Sequence, residues 1–167
     1  SEVTGEPYTD EIHRRVTDPL GIPRILGLSS DNQESMAELT LCEGEASPDE
    51  LESVFGVREM PPSEVTDETI IRFNDPLTRE IGVPGGGGYG RAADLARFYQ
   101  ALLHNPDNLW HPSTLANATG QVHNDLPDPM GVPANRGLGV VLAGDDGMSN
   151  RRGLGRTVSP MAFGHNG

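Results

Sequence analysis

The sequence contains no lysine, and all twelve of its basic residues are arginine. That absence excludes a Walker phosphate loop, which closes on Lys-Ser or Lys-Thr behind its glycines. Positive charge is scarce altogether: Asp and Glu number 25, and the formal net charge is −13. Nucleic-acid backbones and anionic membrane surfaces need clustered Lys and Arg, so neither is an expected partner. The one local basic cluster, Arg151, Arg152 and Arg156, is set among glycines. A single cysteine, Cys42, rules out an intramolecular disulfide framework and any C-x-x-C metal or redox site, and reads as a buried or indifferent thiol. No apolar run approaches the roughly 18 residues of a membrane span. The five histidines (His13, His104, His111, His123 and His165) form no H-x-x-x-H pair and no H-E-x-x-H motif, so neither a metal nor another cofactor is expected.

What is present is enough for one ordinary core, since 167 residues is the size of a single domain. Gly (21) and Pro (14) make up 35 of them, in short clusters between periodic segments, which is punctuation and not low complexity. The expectation is one partial domain of α+β type: a helical region with loops over residues 1–130, then two antiparallel strands within 131–167. A start at Ser1 and a stop at Gly167 directly behind an apolar run suggest a piece of a longer chain, in which a signal peptide cannot be read. Compartment is therefore left open, leaning to cytoplasmic.

Helix grammar recurs along the first 120 residues. "PYTDEIHRRVTDPLGI" predicts a short helix capped by Thr9 or Asp10, with Ile12 and Val16 on one face. "SPDELESVFG" carries Ser47 as N-cap, Pro48 at the first helical position and Glu50 completing a capping box. Leu51, Val54 and Phe55 form its apolar face, and Gly56 stops it. Thr66 can cap a third helix, although the β-branched run Thr69, Ile70 and Ile71 weakens it; Asp75 and Pro76 then begin another short turn. The strongest pattern lies over 91–104, where Ala92, Leu95, Ala96, Tyr99, Leu102 and Leu103 predict one apolar stripe. Pro112 opens one more helix. After residue 130, "RGLGVVLAGDDG" and "TVSPMAFGHNG" read as two strands of a hairpin with a long glycine-rich connection.

Gly85, Gly86, Gly87 and Gly88, directly ahead of the 91–104 helix, raise the question of a nucleotide site. Gly85, Gly87 and Gly90 satisfy G-x-G-x-x-G, with Asp107 as a candidate ribose acid. Context opposes the match, because "TREIGVP" is no buried strand and Asp107 follows a helix, not a second strand. The competing expectation is close backbone packing, with positive φ at one or more of the glycines. Ser30-Asp31-Asn32 spells an S-D-N element, but in "LGLSSDNQES" these residues suit a polar turn. The acids of "CEGEASPDELES" suit a solvated face. His165 differs from the other histidines: it follows the apolar "MAFG" at what should be a strand edge.

Three stretches together resemble one family, the serine β-lactamase-like hydrolases. The branch in question holds class C β-lactamases, D-aminopeptidase/DD-peptidase-like enzymes and family VIII carboxylesterases. "VTGEPYTDEIHRRVTDPLGI" is similar to their helix ending in a PLGM-type turn. "GVPGGGGYGRAADLARFYQALL" resembles their PGGG-x-x-S-T-A-x-D-L-A-R-F segment, with Gly90 and Arg91 where Ser and Thr are usual. "RGLGVVLAGDD" followed by "FGHNG" resembles their W-G-L-G and G-H-x-G strands. Residues 23–75 carry little of the likeness.

The resemblance implies an α/β sandwich of the penicillin-binding-protein type with an inserted helical region. Acyl transfer there runs through a Ser in S-x-x-K, assisted by a Tyr in Y-x-N; neither motif occurs within these 167 residues. The third element, K-[ST]-G or H-x-G, matches His165, Asn166 and Gly167. Its strand lines the cleft opposite the nucleophile. His165 would support the proton network and a substrate carboxylate, Asn166 and Gly167 would bind substrate, and the residue after Gly167 would supply an oxyanion-hole N–H. Gly85–Gly88 would shape the wall near the site. The implied partner is a small ester, amide or D-amino-acyl substrate, and histidine, less reliably charged at neutral pH than lysine, tilts it towards an ester or D-amino-acyl compound over a β-lactam. The expected function is part of a serine acyl hydrolase, itself without the nucleophile. The alternatives are a non-catalytic binding module and, remotely, a nucleotide-binding domain using Gly85–Gly90.

Overall fold

The structure, a computed structural model, describes residues 2–42, 44–62 and 65–165. In chain order its helices are α1 (Tyr8–Ile12), α2 (Pro48–Phe55), α3 (Asp67–Ile71), α4 (Pro76–Ile81), α5 (Ala92–His104) and α6 (Pro112–Gly120), followed by strands β1 (Val141–Leu142) and β2 (Phe163–Gly164). It is mostly helix and loop with two late antiparallel strands, compatible with a portion of a β-lactamase-fold domain. The chain forms two compact units, Ser1–Glu43 with Ser63–Leu109, and Gly44–Pro62 with Trp110–Gly167.

The first unit holds α1, α3, α4 and α5 around buried Ile22, Leu26, Leu28 and Ala101. Helix α1 has no side-chain cap: it starts behind Pro7, whose carbonyl accepts from the N–H groups of Asp10 (3.2 Å) and Glu11 (3.1 Å), so Thr9 and Asp10 lie inside the helix, not at its cap. It runs into a π-helical segment, His13–Thr17, where the Asp18 N–H reaches the His13 carbonyl at 2.8 Å. That wider turn puts Thr17 in the buried position, with Val16 only half-buried beside it. Thr66 caps α3 through the Thr69 N–H (3.3 Å), and the helix gives way to a 3-10 turn at Arg72–Asn74 after five residues. Asp75 caps α4 through the Leu77 N–H (2.8 Å), and Gly82, at φ +70°, ends it.

Helix α5 forms as its periodicity predicts, but packs through a different arc. Ala101 is buried and Asp94 and Phe98 are half-buried; of the expected stripe Tyr99 and Leu102 are half-buried, while Leu95 (59%) and Leu103 (65%) stay exposed. The exposed Arg97 ties the helix to the turn after the π segment: its guanidinium donates to the carbonyls of Leu20 (3.2 Å) and Gly21 (3.3 Å).

The second unit holds α2, α6 and the strands. Ser47 and Glu50 complete the capping box of α2, and Gly56 (φ +73°) closes it; Leu51 and Phe55 are half-buried and Val54 exposed. Strand β1 pairs with β2 in the register Val141↔Gly164 and Leu142↔Phe163, and the Ala143 N–H extends the ladder to the Ala162 carbonyl at 2.9 Å. Val140, Val141, Leu142 and Ala143 are buried together with Val132. A small antiparallel ladder precedes them, pairing Asn124 with Arg136 and Pro127 with Pro133, and Arg136 in turn bridges to Val141. Its prolines hid it from a pattern search, because strand rules demote proline-containing runs. Gly137 lets this ladder approach α6: a Cβ there would lie 2.1 Å from the Ala118 carbonyl oxygen, which accepts from the Leu138 N–H at 3.1 Å.

Candidate functional site

The candidate site at the strand edge lies within the second unit. Gly164 is buried and pairs with Val141, and a Cβ on it would press 3.1 Å from Leu154. His165 follows immediately and its side chain is exposed. Asn166 and Gly167, the other two residues of the expected H-x-G element, lie outside the described residues.

The long connection between β1 and β2 is organised by Arg152. Its side chain is 2% exposed, and it donates to the carbonyls of Pro133 (2.8 Å) and Ala143 (2.7 Å) and, through both terminal nitrogens, to the Asp146 carboxylate. Those hydrogen bonds hold the Asp146 carboxyl at about 2, below its ordinary range; the Met148 N–H and the guanidinium charge act in the same sense, against partial desolvation. Gly144, at φ +68°, leaves room for the Asn135 side chain, which a Cβ would approach to 2.6 Å. One guanidinium therefore ties the upstream ladder, the end of β1 and the following turn together. The basic residues stood out in the sequence as a cluster among glycines; their spacing held no sign that Arg152 is the buried one.

The glycine turn belongs to the first unit. None of Gly85, Gly86, Gly87 or Gly88 has positive φ, which corrects the expectation of left-handed backbone there; Gly82 alone near the turn has it. The need for glycine is steric, and only at two positions. A Cβ on Gly87 would meet the Val83 nitrogen at 2.8 Å and oxygen at 2.9 Å, and one on Gly86 would lie 3.0 Å from the Phe73 ring, whereas Gly85 and Gly88 face open space. The Gly87 N–H closes the turn onto the Val83 carbonyl at 2.8 Å.

Behind the turn sits a second buried arginine. Arg79 lies 5.3 Å from the centroid of the Tyr89 ring and donates to the Phe73 carbonyl (3.2 Å) and the Asn74 side-chain oxygen (3.3 Å). The Tyr89 hydroxyl donates to the same Phe73 carbonyl, and its N–H to the Ile25 carbonyl at 2.9 Å. Tyr89 is thereby fixed at the exit of the turn, just ahead of α5. Arg79 was not singled out in the sequence, because no pattern distinguishes a buried arginine from a surface one.

The nucleotide reading loses its structural premise. The segment before Gly85 is helix α4 and a turn, not a strand, and Asp107 lies in a short 3-10 turn at φ +54°. Ser30–Asn32 is a single 3-10 turn, with the Asn32 amide donating to the Ser29 hydroxyl at 3.1 Å. Cys42 is exposed, not buried. Among the described residues no group of His, Cys, Asp and Glu could hold a metal ion, and no helix is long and apolar enough to cross a membrane.

A family model described as Beta-lactamase matches residues 1–167, the whole of the sequence. No curated protein and no solved structure matches. The chain belongs to the Beta-lactamase family.

Proposed function

We propose that this member of the Beta-lactamase family is part of a serine acyl hydrolase, an esterase or related enzyme, that works through an acyl-enzyme. The observation that carries the reading is the placement of His165 directly behind a buried, paired Gly164 on a strand edge, where the family's third motif has its cationic residue. Cleaving an ester or amide needs an activated hydroxyl, a group that takes and returns its proton, and backbone donors for the oxyanion. The first of these is absent from residues 1–167, which hold no S-x-x-K, no Y-x-N and no lysine at all, so this stretch alone is proposed not to turn over substrate. His165 is assigned to the proton network, and Asn166 and Gly167 to the substrate-binding strand.

The same missing motifs favour a second reading, a non-catalytic binding module. A fluorophosphonate probe applied to the full-length protein separates the two. Covalent labelling of one serine, with hydrolysis of a p-nitrophenyl ester, is the expected result; an unlabelled protein without esterase activity refutes the hydrolase.

A further inference from the structure

The first unit contains a cleft of about 520 Å³ that the acyl-hydrolase reading does not use. Its volume falls in the range of small-molecule sites, roughly 300–1,000 Å³. The apolar side chains of its lining include Ile25, Leu28 and Met36, and Arg24, Arg91 and Asp94 contribute charge to it. The walls are fixed. Leu28 is buried, the Gln33 amide donates to the Leu28 (2.8 Å) and Pro76 (3.1 Å) carbonyls, and the Tyr89 N–H donates to the Ile25 carbonyl.

The two arginines of the cleft differ from each other in their partners. Arg14, Arg15, Arg58, Arg72 and Arg152 each contact a carboxylate, and Arg24 shares one, Asp10, at 2.7 Å while only partly covered. Among the described residues Arg91 has no carboxylate against its guanidinium. The nearby acid of the cleft, Asp94, is directed to the backbone: it accepts from the Arg91 N–H at 3.2 Å, at the start of the 13-residue α5. A cleft that combines apolar side chains with a guanidinium that no described carboxylate contacts suits a ligand with the same two parts.

We infer that this cleft binds a small carboxylate with an apolar tail, the tail against Ile25, Leu28 and Met36 and the carboxylate on Arg91 with Arg24 beside it. The inference does not rest on the hydrolase reading, because binding is measured without turnover. Isothermal titration of the protein with octanoate should show saturable binding, with octanol and acetate each bound at least about tenfold more weakly, since each lacks one half of the match. Arg91→Gln should weaken octanoate about tenfold or more and leave octanol unchanged, and Met36→Asp should abolish octanoate binding. Circular dichroism checks that both variants fold. No octanoate binding to the wild type, octanol bound as tightly as octanoate, or undiminished octanoate affinity in folded Arg91→Gln overturns the inference.

Discussion

Each of the two units is built around a buried arginine, and the two arginines are satisfied differently. Arg79, in the first unit, donates to a carbonyl and a side-chain amide and lies against an aromatic ring. Arg152, in the second, donates to two carbonyls and is paired with a carboxylate. A guanidinium offers five donors in a rigid plane, so it can hold several strands of irregular backbone at once. A sequence with short helices and two-residue strands depends on such cross-links where regular hydrogen-bond ladders are lacking. The difference lies in charge: the arrangement around Arg152 includes a titrating partner, and the one around Arg79 relies on neutral groups.

Substitution of the arginines should show the largest effects. Arg152→Met leaves the Pro133 and Ala143 carbonyls without that donor and removes the partner of Asp146, and should cost about 3 kcal/mol of stability in urea unfolding. Arg79→Met should cost about 2 kcal/mol, because the Phe73 carbonyl keeps its bond from Tyr89. Equal or reversed losses would break the distinction between the two sites.

The glycine turn sharpens the picture of the first unit. Gly87→Ala forces a Cβ onto the Val83 backbone and should destabilise by about 2 kcal/mol, while Gly85→Ala, with open space at its Cβ, should change stability by no more than about 0.5 kcal/mol. Matching thermal melts for the two variants would show that the steric account of the turn is wrong.

The smallest effect is the one specific to the second unit's charge. Native Asp146 titrates at about 2, below the ordinary carboxyl value near 4. The unfolded chain therefore takes up a proton first as pH falls, so the stability from this pair is complete above about pH 4 and is lost as pH drops to about 2. Because the Asp146 side chain is 39% exposed, screening keeps the contribution below about 1 kcal/mol. Urea midpoints compared between pH 5 and pH 2.5 should fall less in Asp146→Asn than in the wild type; an identical fall removes Asp146 from the account.

The parts of the fold that were legible in the sequence are those fixed by local chemistry. Ser47, Thr66 and Asp75 are caps because a short side-chain oxygen satisfies a first-turn N–H, a bond that needs no distant partner. The two late strands were legible for a similar reason, as short apolar runs bounded by turn residues. The features that were missed are those decided by neighbours. Helix α5 is tied through its own Arg97 to the distant backbone of Leu20 and Gly21, the π turn at His13–Thr17 has no local signature, and the ladder at residues 124–136 contradicts strand propensity. Of the candidate site, the glycine turn was visible as a turn but not in its geometry, since a requirement for a missing Cβ at Gly87 comes from Val83 packing on it. His165 stood out because its strand was readable.

The central claim is that His165 takes part in acyl transfer, and its most direct test is the acylation rate of the full-length protein on a p-nitrophenyl ester. His165→Ala should slow acylation about a hundredfold, in the range that a positioned proton-transfer group supplies, while His165→Lys restores a substantial part of the rate. A folded His165→Ala protein that acylates at the wild-type rate contradicts the claim.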